Sequence, residues 1–145
     1  MSSTASASAQ RPSTGGIFRA TLLGALVAVV VNVILWALMQ FVFNLNLHIQ
    51  AGGPGTPMVP LPVVPVIVLT VVPALVAGGL FWLLARFTAR APLIFLIIAL
   101  LVLVLSFAPG FLAFPGETVN ALGLNVLHIG AAVPIVWALI GRGRA

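Results

Sequence analysis

Four long apolar runs, at about residues 17–43, 63–85, 93–108 and 118–140, alternate with short segments rich in glycine, proline or arginine. About 20 helical residues cross a hydrocarbon core about 30 Å thick, so the pattern predicts four transmembrane helices. Lipid offers the backbone no hydrogen bonds, and a helix closes its own. The expected fold class is all-α: an integral membrane bundle of four transmembrane helices. The first run would extend about 40 Å as a helix, more than the core needs, and is expected to tilt or project at one end. The third, LIFLIIALLVLVLSFA, is apolar on every face except at Ala99 and Ser106, which in so small a bundle predicts a lipid-facing helix. Pro109-Gly110 is expected to end or bend it, leaving residues 111–114 at the interface.

The few polar or small positions inside these runs recur at helical spacing. Ala20, Gly24, Ala28, Asn32, Trp36 and Gln40 follow one another at steps of four, placing them on one stripe of the first helix. Thr70, Ala74 and Gly78 repeat that step in the second helix. Small residues let a neighbouring backbone approach, so Gly24, Ala28, Thr70, Ala74, Gly78 and, in the fourth helix, Ala132 are expected helix-packing positions. Ala121, Asn125, His128 and Ala132 share one face of the fourth helix. His128 is the one ionisable residue well inside an apolar run, and Asn32 sits near the middle of the first. Polar groups at such depth need partners. The expectation is a polar core of Asn32, Asn125 and His128, with Asn32 bonded to His128 where helices one and four pack. Its role is either to fix register or to contact a ligand, proton or ion.

The segments between runs read differently. Residues 1–16 are small and polar and predict a disordered tail, leaving 17–145 as a single membrane domain. A cleaved signal peptide fits poorly, because the first run is far longer than an h-region. Residues 44–62 hold Gly52-Gly53-Pro54-Gly55 with Pro57, Pro60 and Pro62, a composition that predicts a loop, with His48 its only titratable group. Pro65 suits a first turn, whereas Pro73 and Pro134 fall inside helices and predict kinks.

Charge then orients the chain. Arg11 and Arg19 precede the first run, Arg86 and Arg90 lie between the second and third, and Arg142 and Arg144 follow the fourth. Four crossings put all six on one side, and the loops on the other side carry no basic residue and the single acid, Glu117. Such segregation predicts cytoplasmic amino and carboxyl termini in a multi-pass protein of the cell membrane. The net charge of +5 is accordingly a topology signal, and no nucleic-acid partner is expected, since dispersed arginines make no basic patch. The expected partners are the lipid bilayer and a second copy or another membrane protein.

Composition narrows the chemistry. Hydrophobic residues make up 62% of the chain and mean hydropathy is +1.30, too apolar for a domain surrounded by water. Cysteine, lysine, aspartate and tyrosine are absent, which removes disulfides, thiolate sites and most catalytic side chains. No phosphate loop, dinucleotide pattern or metal motif occurs, so no cofactor and no metal are expected. The leading expectation is a non-enzymatic bundle that binds a partner or a small ligand. The alternatives are a small transporter or channel component using Asn32 and His128, and an outward-facing enzyme in which His48, Glu117 and His128 converge. Val31-Asn32 in the first run and Leu127-His128-Ile129-Gly130-Ala131-Ala132-Val133 in the last resemble a family of small bacterial four-helix membrane proteins of unknown function. That family carries Met before the histidine, where this chain has Leu127. The resemblance implies the four-helix fold and no activity.

Overall fold

The computed structural model describes residues 12–50, 52, 55–113 and 116–143. Helix α1 spans Thr14–Ala37 and runs into a π-helical turn at Leu38–Val42. A two-stranded hairpin follows, β1 at His48–Gln50 antiparallel to β2 at Met58–Pro60, with Ile49 opposite Val59. Helices α2 (Val63–Phe87), α3 (Ala91–Ala113) and α4 (Thr118–Arg142) complete the chain. All four helices are long and apolar enough to cross a membrane.

Helix α1 is the centre of the arrangement, packed along α4 on one side and α2 on the other, while α3 packs chiefly on α4. Both of α1's neighbours run antiparallel to it. A Cβ on Gly24 would lie 3.0 Å from Ala138 Cβ and 3.2 Å from Ile135 Cα, and one on Gly78 would overlap the Thr21 side chain. Ala20, Ala28, Ala74, Ala121 and Ala138 are buried at these crossings, and Ala132 is half-buried. Lipid is as apolar as leucine, so close backbone approach and dispersion hold such helices together rather than expulsion of water. The buried aromatic side chains cluster at the arginine end, where Phe81 and Phe95 meet edge to face at 5.2 Å between ring centroids in one core with Leu139.

Helix α3 turns most of its length outward, with Leu93, Ile97, Leu100, Leu101, Val104 and Leu105 exposed and Phe95 and Ala91 turned in. Its bounds differ from the expected 93–108. Pro92 fits the first turn of α3, where its missing N–H leaves no bond unmade. Pro109 lies inside the helix, which continues to Ala113 because a proline removes one bond without stopping a helix supported by its other turns. Residues 111 and 112 are thus helical. At the other terminus most of the expected disordered tail lies outside the described residues, but 14–16 belong to α1. Ser13 caps the helix, its side chain accepting from the Gly16 N–H at 3.0 Å.

Candidate functional site

The expected pairing of Asn32 with His128 does not occur. Asn32 is buried, and its Nδ2 donates to Thr70 Oγ1 of α2 at 2.9 Å. The Thr70 hydroxyl in turn donates to the Val66 carbonyl at 2.7 Å, so it can only accept from Asn32 and thereby fixes which way the carboxamide points. The other side of Asn32 faces α4 at Gly130, where a Cβ would overlap Asn32 Oδ1 and approach Leu35 Cδ1 to 2.7 Å. Helix α4 therefore meets Asn32 with bare backbone. His128 lies two residues away on the outer surface of the bundle, its Nδ1 2.7 Å from the Leu124 carbonyl of its own helix. A carbonyl only accepts, so that contact places the hydrogen on Nδ1. The inward position on this turn belongs to Leu127, which packs with Met39, Leu47, Leu61 and Val66. Asn125 is buried on α4, and among the described residues the side-chain oxygens of Asn32, Asn125 and Gln40 have no hydrogen-bond partner.

In the segment expected as a loop, residues 44–50 and 55–62 lie over the end of the bundle opposite the arginines and pair as the hairpin. Asn44 and Asn46 take left-handed backbone angles, φ 50° and 47°, which asparagine tolerates better than most residues, and the chain turns back onto the helices. Leu47, wholly buried, drops onto Gly123 of α4, whose missing side chain makes room for it. Asn120 then clamps the strand. Its Oδ1 accepts from the His48 N–H at 2.8 Å and its Nδ2 donates to the His48 carbonyl at 3.2 Å. The second strand is tied at Leu61, whose N–H donates to the Leu47 carbonyl at 2.7 Å and whose own carbonyl accepts from Trp36 Nε1 at 3.0 Å. The sequence carried no sign of this clamp. Asn120 sits in the first turn of α4, where a polar residue ordinarily meets solvent, and only the fold buries it.

Between the hairpin and the start of α4 lies a cavity of about 400 Å³ lined by Leu45, Asn46, His48, Glu117, Thr118 and Asn120, among others. His48 is half-buried and Glu117 exposed, and neither side chain has a hydrogen-bond or ion-pair partner among the described residues. Two of the three residues weighed for external chemistry thus share one cleft, and His128 does not line it. Among the described residues no group of three or more histidine, cysteine or acidic side chains could hold a metal. A second cavity, of about 230 Å³, opens at the arginine end. Neither cavity reaches Asn32, Asn125 or His128.

The clamp makes a direct prediction. Asn120→Ala strands the His48 N–H and carbonyl and is expected to cost about 1 kcal/mol. Hydrogen exchange should accelerate at Leu47, His48 and Leu61 while the midsections of α1 and α4 stay protected. Unchanged exchange in the hairpin would show that its strands hold without the clamp.

No curated protein and no solved structure matches this chain. A family model does, over residues 12–145, which covers the hairpin, the cleft and all four helices. By that match the chain belongs to DUF6069, a family of unknown function.

Proposed function

We propose that this protein is a non-enzymatic membrane bundle that binds a small polar ligand in the cleft between its hairpin and α4, on the outer side of the cell membrane. The observation that carries the reading is the cleft itself. Its position is set by the Asn120 clamp, and it presents a carboxylate at Glu117 and an imidazole at His48 that have no partner among the described residues. The first-turn amides of α4 stand beside them, and amides at a helix start attract negative charge. A carboxylate next to such amides suits a ligand that carries an amine and an acceptor group a few bonds apart, such as an amino acid or a peptide end. The packed surroundings of Asn32 argue against a transport path, and the separation of His128 from the cleft argues against a three-residue catalytic site. The arginine segregation supports an outward-facing cleft, with both termini and the α2–α3 turn in the cytoplasm.

Single cysteines at Met58, Ala89 and Glu117 of this cysteine-free chain test both halves of the proposal. A membrane-impermeant maleimide applied to intact cells should label positions 58 and 117 and spare 89. Labelling at 89 alone would invert the topology. Amino acids, dipeptides and polyamines should then be screened by thermal shift on the purified protein. A compound that stabilises the wild type but not Glu117→Gln supports the reading. Absence of any such compound, or flux of one through reconstituted vesicles, would overturn it.

A further inference from the structure

At the opposite end of the bundle we propose a binding site for the phosphodiester headgroup of an anionic phospholipid, formed by Arg86 and Trp82 of α2 with the start of α1. The cavity of about 230 Å³ there is lined by Pro12, Thr14, Ile17, Trp82, Ala85 and Arg86. The Arg86 guanidinium stacks over the Trp82 ring at 5.8 Å from its centroid. The indole Nε1 in turn donates to Thr14 Oγ1 at 3.4 Å, which holds the ring as one wall. Stacking orients the guanidinium without neutralising it, so its donors stay available to an anion. Among the described residues no acidic side chain at this end supplies one. Arg19, Arg86, Arg90 and Arg142 all sit exposed at this end, no ion pair forms among the described residues, and the chain's one acidic side chain, Glu117, is at the other end.

Depth selects the partner. Trp82 and Trp137 mark this end of α2 and α4, each with an arginine stacked on it, the second pair at 5.1 Å. Indoles seat at the headgroup level of a bilayer, so the Arg86 cavity opens where lipid phosphates are concentrated. Gly15 adds room, since a Cβ there would meet nothing within 4 Å. Arg86 has a walled cavity, whereas neither Arg90 nor Arg142 lines one of the two cavities described. A headgroup site therefore gives Arg86 a share of lipid binding out of proportion to its single charge.

The test uses the full chain in nanodiscs of phosphatidylcholine with and without phosphatidylglycerol, reading thermal stability and, by native mass spectrometry, lipid retained after extraction. Phosphatidylglycerol should raise the melting temperature and be retained selectively. Arg86→Gln should lower retention by more than the about fivefold that losing one diffuse basic contact near a charged membrane would cause. Arg90→Gln should have a much smaller effect. Trp82→Phe, which keeps an aromatic ring but loses the N–H to Thr14, should also reduce retention and serves if Arg86→Gln does not fold. Equal losses from Arg86→Gln, Arg90→Gln and Arg142→Gln would mean diffuse attraction and overturn the site. So would a matching stabilisation by inorganic phosphate or glycerol phosphate in phosphatidylcholine discs, which would assign the cavity to a soluble anion. No preference for phosphatidylglycerol in the wild type would overturn it outright.

Discussion

Gly24→Val is expected to separate α1 from α4 and leave little folded protein in mild detergent. The reason lies in what stands opposite. A Cβ at position 24 would meet Ala138 Cβ at 3.0 Å, Ile135 Cα at 3.2 Å and the Pro134 carbonyl oxygen at 3.5 Å, so much of the obstacle is backbone and cannot rotate away. Gly24→Ala already forces the helices apart by a few tenths of an ångström. Overpacking costs about 1–3 kcal/mol, which exceeds the ~1 kcal/mol that alanine gains over glycine as a helix former. The two branches of valine enlarge the first term and leave the second behind. Gly123→Ala is the informative comparison, because the atom it meets is Leu47 Cδ2, the far end of a flexible side chain. It should cost less and loosen the hairpin rather than the helices. Gly79→Ala, with nothing within 4 Å, should be neutral or slightly stabilising. Helicity followed by circular dichroism during a denaturing-detergent titration ranks the four. Gly24→Val as stable as wild type would mean that α1 and α4 are not packed as described.

The second large effect is expected at Thr70. Replacing it with valine removes the acceptor for Asn32 Nδ2 and leaves a buried amide with neither hydrogen-bonding end satisfied, since Asn32 Oδ1 already lacks a partner. A stranded buried polar group costs about 1–3 kcal/mol. Thr70→Ser keeps the hydroxyl and should lose far less. Asn32→Ala is milder for a different reason: Thr70 still donates to the Val66 carbonyl, so its partner is not stranded. In the double variant Asn32→Ala/Thr70→Val no amide remains to be left unpaired, and the loss should fall short of the sum of the singles. His128→Leu provides the contrast. That side chain is on the outer surface, bonded only within its own helix, and its replacement should leave stability nearly unchanged. Strict additivity of Asn32→Ala and Thr70→Val, or a large loss in His128→Leu, would contradict this network.

The step-of-four stripe on α1 was legible because helical periodicity is local and small residues at that period have few other uses. Ala20, Gly24, Ala28 and Asn32 are all buried against neighbouring helices. The partner of Asn32 was not legible. Along α2 the sequence presents Thr70 as one member of a small-residue face, while the histidine inside an apolar run stands out by its rarity. A hydroxyl can be small and a hydrogen-bond acceptor at once, and nothing in the spacing along α2 says which property the fold uses. The hairpin was hidden for a related reason. Glycine and proline at high density mark a loop in the sequence, but strands of three residues are too short for alternation to register.

By itself the sequence determined the number of helices long and apolar enough to cross a membrane and placed Ala20, Gly24, Ala28 and Asn32 on one stripe of α1, because both follow from interactions within one segment or with an isotropic solvent. Hydrophobic length against bilayer thickness needs no tertiary information. Only the tertiary structure decided that α1 occupies the centre, that Asn32 bonds to Thr70 while Gly130 faces it bare, that His128 turns outward, and that Asn120 draws the hairpin over α4 to form the cleft with Glu117. These are contacts between residues 38 to 72 positions apart in the pairs bonded directly. Their geometry is set by where small side chains let two helices approach, a joint property of both surfaces that neither segment carries alone.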